Sequence, residues 1–165
     1  VLVVAALAAV GLATVATAGP RSKCWMTGGG SIFTASGTSV DYAGQFDTNG
    51  RVTHGFELRC EGRPNNLQIN WEGNRFHLTS LTSAICLDDV AIEPDPPGAV
   101  FDTYIGTGVG RYNGAPGYCA SWIFTDAGEP GVPDTATIEI TDCADTVIMQ
   151  VSGPLTFGNH QAHSS

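Results

Sequence analysis

Three acids, Asp126, Glu129 and Asp134, fall within the stretch FTDAGEPGVPDT, with Gly128 and Gly131 between them. Calcium is held by about six to eight oxygens drawn from carboxylates, backbone carbonyls and water. Three carboxylates on one tight loop, together with its carbonyls, could build most of such a shell. Asp126, Glu129 and Asp134 are therefore the candidate metal ligands and Ca2+ the candidate ion, although the spacing is not that of an EF-hand. The competing reading is a rigid acidic turn, in which Asp126 accepts hydrogen bonds from its own backbone and the prolines stiffen the loop. A second acidic stretch holds Asp88, Asp89, Glu93, Asp95 and Asp102. Pro94, Pro96 and Pro97 disfavour a helix there, and a run of acids is ordinarily a solvated loop.

The histidines are His54, His77, His160 and His163. Zinc needs about three or four converging ligands. His160 and His163 are three residues apart in extended chain and face opposite ways. His54 alternates with Phe56 on an apolar face, and His77 lies on the face opposite Phe76, so four separate histidines are expected. No G-x-S-x-G elbow is present, and nothing selects a pair of acids for glycoside chemistry. No catalytic residue is assigned. Trp71 and Trp122 share faces with apolar neighbours and read as core, which leaves Trp25 as the tryptophan best placed for exposure.

The elements that must position these groups are strands. Tyr118, Ala120, Trp122 and Phe124 alternate with polar or small residues, and Ala136, Ile138 and Ile140 do the same on the return. A period of two signals strand, and the Gly/Pro segment between the arms signals a hairpin loop. Setting Trp122 opposite Ile140 and Phe124 opposite Ile138 also sets Cys119 opposite Cys143, within disulfide reach. A register displaced by two residues keeps the faces matched but separates the cysteines. Upstream, the runs Ser39 to Asp47, Arg51 to Cys60, Leu67 to Trp71 and Arg75 to Leu81 alternate in the same way, with turns between them. The last three read as a meander. Its first and third strands run the same way, which brings Cys60 near Cys86. With Cys60 paired to Cys86 and Cys119 to Cys143, Cys24 is the odd one of five cysteines and a candidate link to a second chain.

Tyr104 to Tyr112 carries Gly106, Gly108 and Gly110 at alternate positions, a sign of a bend or of close approach by another part of the chain. Val147, Met149 and Val151 form a further strand and Leu155 to Phe157 a short last one, with Gly158 to Ser165 as a tail. Gly19 to Ser31, with Gly28-Gly29-Gly30, reads as a flexible lead-in. No sustained helical spacing follows. The fold class expected is all-β, a single antiparallel sandwich or flattened barrel.

Residues 1–18 form an uncharged run of small and aliphatic residues that ends in Ala16-Thr17-Ala18. This matches the apolar part and cleavage site of a signal peptide without its positive start. A single exported domain over residues 19–165 is expected, with no stable membrane insertion after cleavage. Five cysteines in an exported chain read first as disulfides. The net charge is −9, from 7 basic and 16 acidic residues. That balance opposes nucleic acid and anionic membrane as partners.

The stretches MTGGGS at Met26–Ser31, NNLQINWEGNRFHL at Asn65–Leu78, FTDAGEPG at Phe124–Gly131 and GNHQAH at Gly158–His163 carry a likeness. Together they resemble a bacterial secreted β-domain of unknown function, the post-choice-of-anchor type. The resemblance implies export and a β fold, and no catalytic residue. In its terminal G-N-x-Q-x-H pattern His160 replaces the usual hydrophobic residue.

The function expected is a secreted or cell-surface module with a non-catalytic binding or structural role toward an extracellular protein or glycan, with calcium as a candidate stabiliser. A small secreted hydrolase or carbohydrate-active enzyme is the second reading, and a subunit disulfide-linked through Cys24 the third.

Overall fold

The computed structural model describes residues 23–33, 40–42, 45–47, 50–92, 99–128 and 133–165. The leader-like segment 1–18, Glu129, and Glu93 to Asp95 lie outside them. The strands are β1 (Cys24–Phe33), β2 (Val40–Tyr42), β3 (Gln45–Asp47), β4 (Arg51–Arg59), β5 (Asn66–Trp71), β6 (Asn74–Leu87), β7 (Thr103–Tyr112), β8 (Ala115–Thr125), β9 (Thr135–Thr141), β10 (Val147–Pro154) and β11 (Phe157–Ser164). All are antiparallel, in the order β11-β1-β4-β5-β6-β7-β8-β9-β10-β2-β3. The sheet is strongly curled, as a half-barrel, and brings β1 into contact with β10.

Alternation drives this shape. Val52, His54, Phe56 and Leu58 of β4 point inward, as do Leu67, Ile69 and Trp71 of β5 and Phe76 and Leu78 of β6. Trp122 and Phe124 of β8, Ile138 and Ile140 of β9, and Met149 and Val151 of β10 complete the same core. Fully burying one such side chain is worth about 1.5–3 kcal/mol, and a slip of one residue would turn a whole row to solvent. Glycine makes room on β7. A methyl group at Gly106 would overlap the Trp122 ring, one at Gly108 the end of Leu78, and one at Gly110 the Phe76 ring. Large side chains of the flanking strands thus fill the trough over β7.

Several strands differ from the sequence expectation. The lead-in Cys24–Phe33 is a full strand between β4 and β11. Its glycines hide the apolar period, because an added Cβ at Gly29 or Gly30 would stand 2.7 Å from the carbonyl of His54 or Phe157. The expected tail is β11. It pairs with β1 from Ser31–Phe157 to Cys24–Ser164, although its residues are mostly polar. The run Ser39 to Asp47 also divides, into the paired β2 and β3 beside β10.

The central hairpin takes the displaced register. Trp122 faces Ile138, Phe124 faces Ala136 and Cys119 faces Thr141. Cys119 still bonds Cys143, with Cα atoms 5.0 Å apart. Past the end of β9, Cys143 takes a left-handed φ of 62°. Asp142 holds that turn by accepting hydrogen bonds from the N–H groups of Ala144 and Thr146. The chain curls back and returns the sulfur to β8. The second bridge joins Cys60 to Cys86, which lies within a β6 longer than expected.

Candidate functional site

Asp126 and Asp134 flank the β8–β9 loop and are both buried, at 6% and 5% exposure. Their carboxylates turn inward to the edge of β11. Asp126 Oδ1 accepts from Gly128 N–H at 3.1 Å, closing a local turn, and Oδ2 from Ala162 N–H at 2.8 Å. Asp134 Oδ1 accepts from Ala127 N–H at 2.8 Å, and Oδ2 from His160 N–H at 2.5 Å. The N–H groups of residues 160 and 162 point away from β1, where a further strand would otherwise pair. Two carboxylates take the place of that strand. A buried N–H without an acceptor is costly, so the bonds from His160 and Ala162 close the open side of the sheet, while those from Ala127 and Gly128 fix the loop. Asp102 does the same elsewhere. It is fully buried and accepts from Asp89 N–H and the Thr103 hydroxyl, closing the base of the second acidic loop.

These bonds bear on the calcium expectation. All four oxygens of Asp126 and Asp134 already accept backbone N–H groups, so a cation would have to share or displace those donors. Among the described residues no group of three or more His, Cys, Asp or Glu side chains is arranged to hold a metal ion.

Beside the aspartates, two histidines that the sequence reading kept apart meet in the core. His54 Nε2 and His160 Nε2 are 2.7 Å apart. His160 Nδ1 lies 2.9 Å from the Thr125 carbonyl, which can only accept, so Nδ1 carries the proton and Nε2 offers a lone pair. His54 must then donate from Nε2, which leaves its buried Nδ1 as a bare acceptor without a partner. Phe56 and Phe124 pack against both rings at centroid distances from 5.0 to 6.0 Å. Burial pushes His54 down to about 3, helped by neighbouring His160. Burial likewise pushes His160 down to about 4, against the opposing pull of the Thr125 carbonyl. Both rings are therefore neutral at physiological pH. The signal available in the sequence was the alternation of His54 with Phe56 on an apolar face; nothing local marked His160 as its partner.

The other expected groups lie elsewhere. His163 faces outward, 3.0 Å from the Thr27 hydroxyl, and stacks on the half-buried Trp25. Arg59 covers the Trp25 ring at 5.6 Å. Cys24, outside both disulfides, is half-buried against the core, and its carbonyl accepts the N–H of Cys60 at 3.0 Å.

A second constellation lies on the outer face, and the sequence gives no local sign of it. Gln68, His77 and Arg111 sit side by side across β5, β6 and β7. Arg75 and Asn70 form the next rung of the same face. Together with Gly114, Gln68, Arg75, His77 and Arg111 line a cleft of about 380 Å³. A second hollow of about 480 Å³ shares Arg75 and adds Asn70, Gly73, Asn74 and Asn113. On β4, Gly55 faces Gln68 and leaves open space where a side chain would stand.

Two hairpin tips hold this end rigid. Asn113 and Gly114 take φ values of 49° and 87°, suited to a tight two-residue turn. Asn113 accepts Arg75 N–H at 2.9 Å through its side chain and donates its own N–H to the Arg75 carbonyl at 2.8 Å. Asn74 Oδ1 accepts from both the Asn113 amide and the Tyr112 hydroxyl, each at 2.9 Å. The chain has only 7 basic residues, yet Arg75 and Arg111 converge here beside His77. Among the described residues no carboxylate lines either hollow.

Searches of protein-family models, curated proteins and solved structures find no match to this chain.

Proposed function

We propose that this chain is an exported, non-catalytic β-module that binds an extracellular ligand on the outer face of β5, β6 and β7. The observation that carries the reading is the cleft of Arg75, His77 and Arg111, set on a rigid part of the sheet with their side chains turned to solvent. Two intramolecular disulfides fit an oxidising compartment. The leader-like residues 1–18 and the resemblance to a secreted β-domain agree with export. The buried acids of the β8–β9 loop are occupied in closing the sheet, which leaves recognition to the outer face.

Nitrogen-15 NMR of the purified domain against a panel of soluble extracellular glycans tests this. Saturable shifts should centre on Gln68, Arg75, His77 and Arg111. Shifts that map to another face, or no shifts with any member of the panel, would sink the proposal. Expression with the native N-terminal segment in a bacterial host tests export, because the product should appear outside the cytoplasm and begin at Gly19.

A further inference from the structure

We infer that the Arg75–His77–Arg111 cleft takes the carboxylate of an acidic saccharide, a uronic-acid unit, while the neighbouring amides take its hydroxyls. The inference rests on the outer-face reading above and names its ligand class.

His77 and Arg111 are direct cross-strand partners, with Cβ atoms about 4.5–5.5 Å apart. Arg75, two residues from His77 on β6, is the diagonal neighbour of Arg111. Two guanidinium groups held on neighbouring rungs repel each other, and an acidic chain has carboxylates enough to neutralise them. Among the described residues no carboxylate lines the cleft itself. A carboxylate between the two guanidinium groups would offset the repulsion, and arginine's planar fork suits that group through paired hydrogen bonds.

The remaining lining selects among anions. Gln68 and Asn70 lie on the same face, linked by a weak bond of 3.3 Å from the Gln68 amide to Asn70 Oδ1. Gln68 lines the cleft and Asn70 the adjoining hollow, and the Gln68 carbonyl oxygen and the Asn70 amide nitrogen are not used in that bond. One donates and the other accepts, which is the pairing that sugar hydroxyls need. Among the described residues no Trp, Tyr or Phe lines either hollow, and His77 supplies the one ring of the lining, so a base or a neutral sugar has no broad stacking platform there. An extended peptide gains affinity by adding to a free sheet edge. β5, β6 and β7 are interior strands with both edges paired, and offer no such edge. A net charge of −9 repels dense polyanions at long range. A sparse carboxylate among hydroxyls fits where a nucleic acid does not.

The probe is trigalacturonate, with triglucuronate as a second acid, the methyl ester of trigalacturonate as its neutral counterpart and inorganic sulfate as a bare anion. Binding is followed by nitrogen-15 NMR on the intact disulfide-bonded domain. At least one acid should shift Gln68, Arg75, His77 and Arg111 saturably, and its affinity should fall as salt is raised. Arg75→Gln and Arg111→Gln should each weaken it about tenfold or more, the scale of one charge-assisted bond. Both side chains are exposed, and an unchanged spectrum elsewhere shows that each variant folds. If the ester binds the same residues as tightly as the acid, the carboxylate inference fails while the outer-face reading stands. If sulfate alone binds as tightly as the acids, the saccharide part fails and a simple anion site remains. If neither acid shifts these residues at tens of millimolar, the inference is overturned, and the glycan panel then decides the broader reading separately.

Discussion

Acid should unfold this protein through its two buried imidazoles. Both are neutral in the folded state, and the ordinary histidine value of 6.5 falls to about 3 at His54 and about 4 at His160. Folded-state values below the unfolded one mean that the unfolded chain takes up protons first as the pH drops. Their contribution to stability is therefore complete above about pH 7, declines from about 6.5 downward, and is spent near 3 to 4. Between pH 7.5 and 5 each histidine passes through about 1.5 pH units of that window. At about 1.4 kcal/mol per unit, each costs about 2 kcal/mol and the pair about 4 kcal/mol. A domain of ordinary stability has about 5–15 kcal/mol in all, so the loss is large. Geometry gives the same sign. A proton added at His54 Nδ1 has no acceptor in the core, and one added at His160 Nε2 would face the N–H of His54 across 2.7 Å. Urea melts at half-unit steps from pH 7.5 to 5 measure this directly, above the range in which most carboxylates titrate. The ring proton signals of His54 and His160 should hold still down to pH 5 in the folded protein. Stability that changes by less than about 1 kcal/mol across that range would refute the buried neutral pair.

Other perturbations test the closure of the sheet. Asp134→Asn puts an amide N–H against either His160 N–H or Ala127 N–H, and should cost roughly 2–3 kcal/mol in a urea melt, the scale of a hydrogen bond to a charged group. Melting curves with calcium and with chelator should coincide, because a cation must compete with four backbone donors at Asp126 and Asp134; a rise in Tm with calcium that Asp126→Ala removes would show the cation prevailing. Replacing Cys119 and Cys143 together by serine should cost roughly 3 kcal/mol, as expected for a loop spanning 24 residues, and a free thiol at either position in the native protein would contradict the pairing. Gly106→Ala should cost about 1–3 kcal/mol by driving a methyl into the Trp122 ring, and an unchanged melt would show that the trough over β7 has slack.

Legibility in the sequence followed side-chain contrast. Strands β4, β5, β8 and β9 could be read because large apolar residues alternate with polar ones, so burial alone fixes which way each faces. β1 and β11 could not. Glycines at positions 28 to 30 carry no side chain to alternate, and the buried row of β11 is His160 and Ala162, with no large apolar residue. The hairpin register was ambiguous for a related reason. Opposing Phe124 to Ala136 keeps the faces matched as well as opposing it to Ile138, and the observed choice places small Ala136 against the large ring. Cysteine spacing could not break the tie, because the turn at Cys143 absorbs the two-residue displacement. The acids of the β8–β9 loop stood out as a cluster, but their partners are backbone N–H groups, and a sequence does not show which N–H groups lack a strand beside them.

The outer cleft marks the opposite limit. Gln68, Arg75, His77 and Arg111 span 44 positions and adjoin only because β5, β6 and β7 are neighbours in the sheet. Each alone is an unremarkable polar residue on the solvent side of a strand. Once the inward rows are assigned and the strand order is known, the same period of two assigns the outward rows as well. The core pattern Leu67, Ile69, Phe76 and Leu78 therefore forces Gln68, Arg75 and His77 onto one surface, and the β6–β7 register adds Arg111. The apolar residues that stabilise this sheet also gather its cations. Exchanging Gln68 for Leu67, or His77 for Leu78, would break the core and the cleft together. Changing Arg75 or Arg111 alone should leave the core intact. In this fold the inner face carries the stability and the outer face can change its chemistry freely, and the two sets of substitutions separate in a melt and a binding titration run on the same variants.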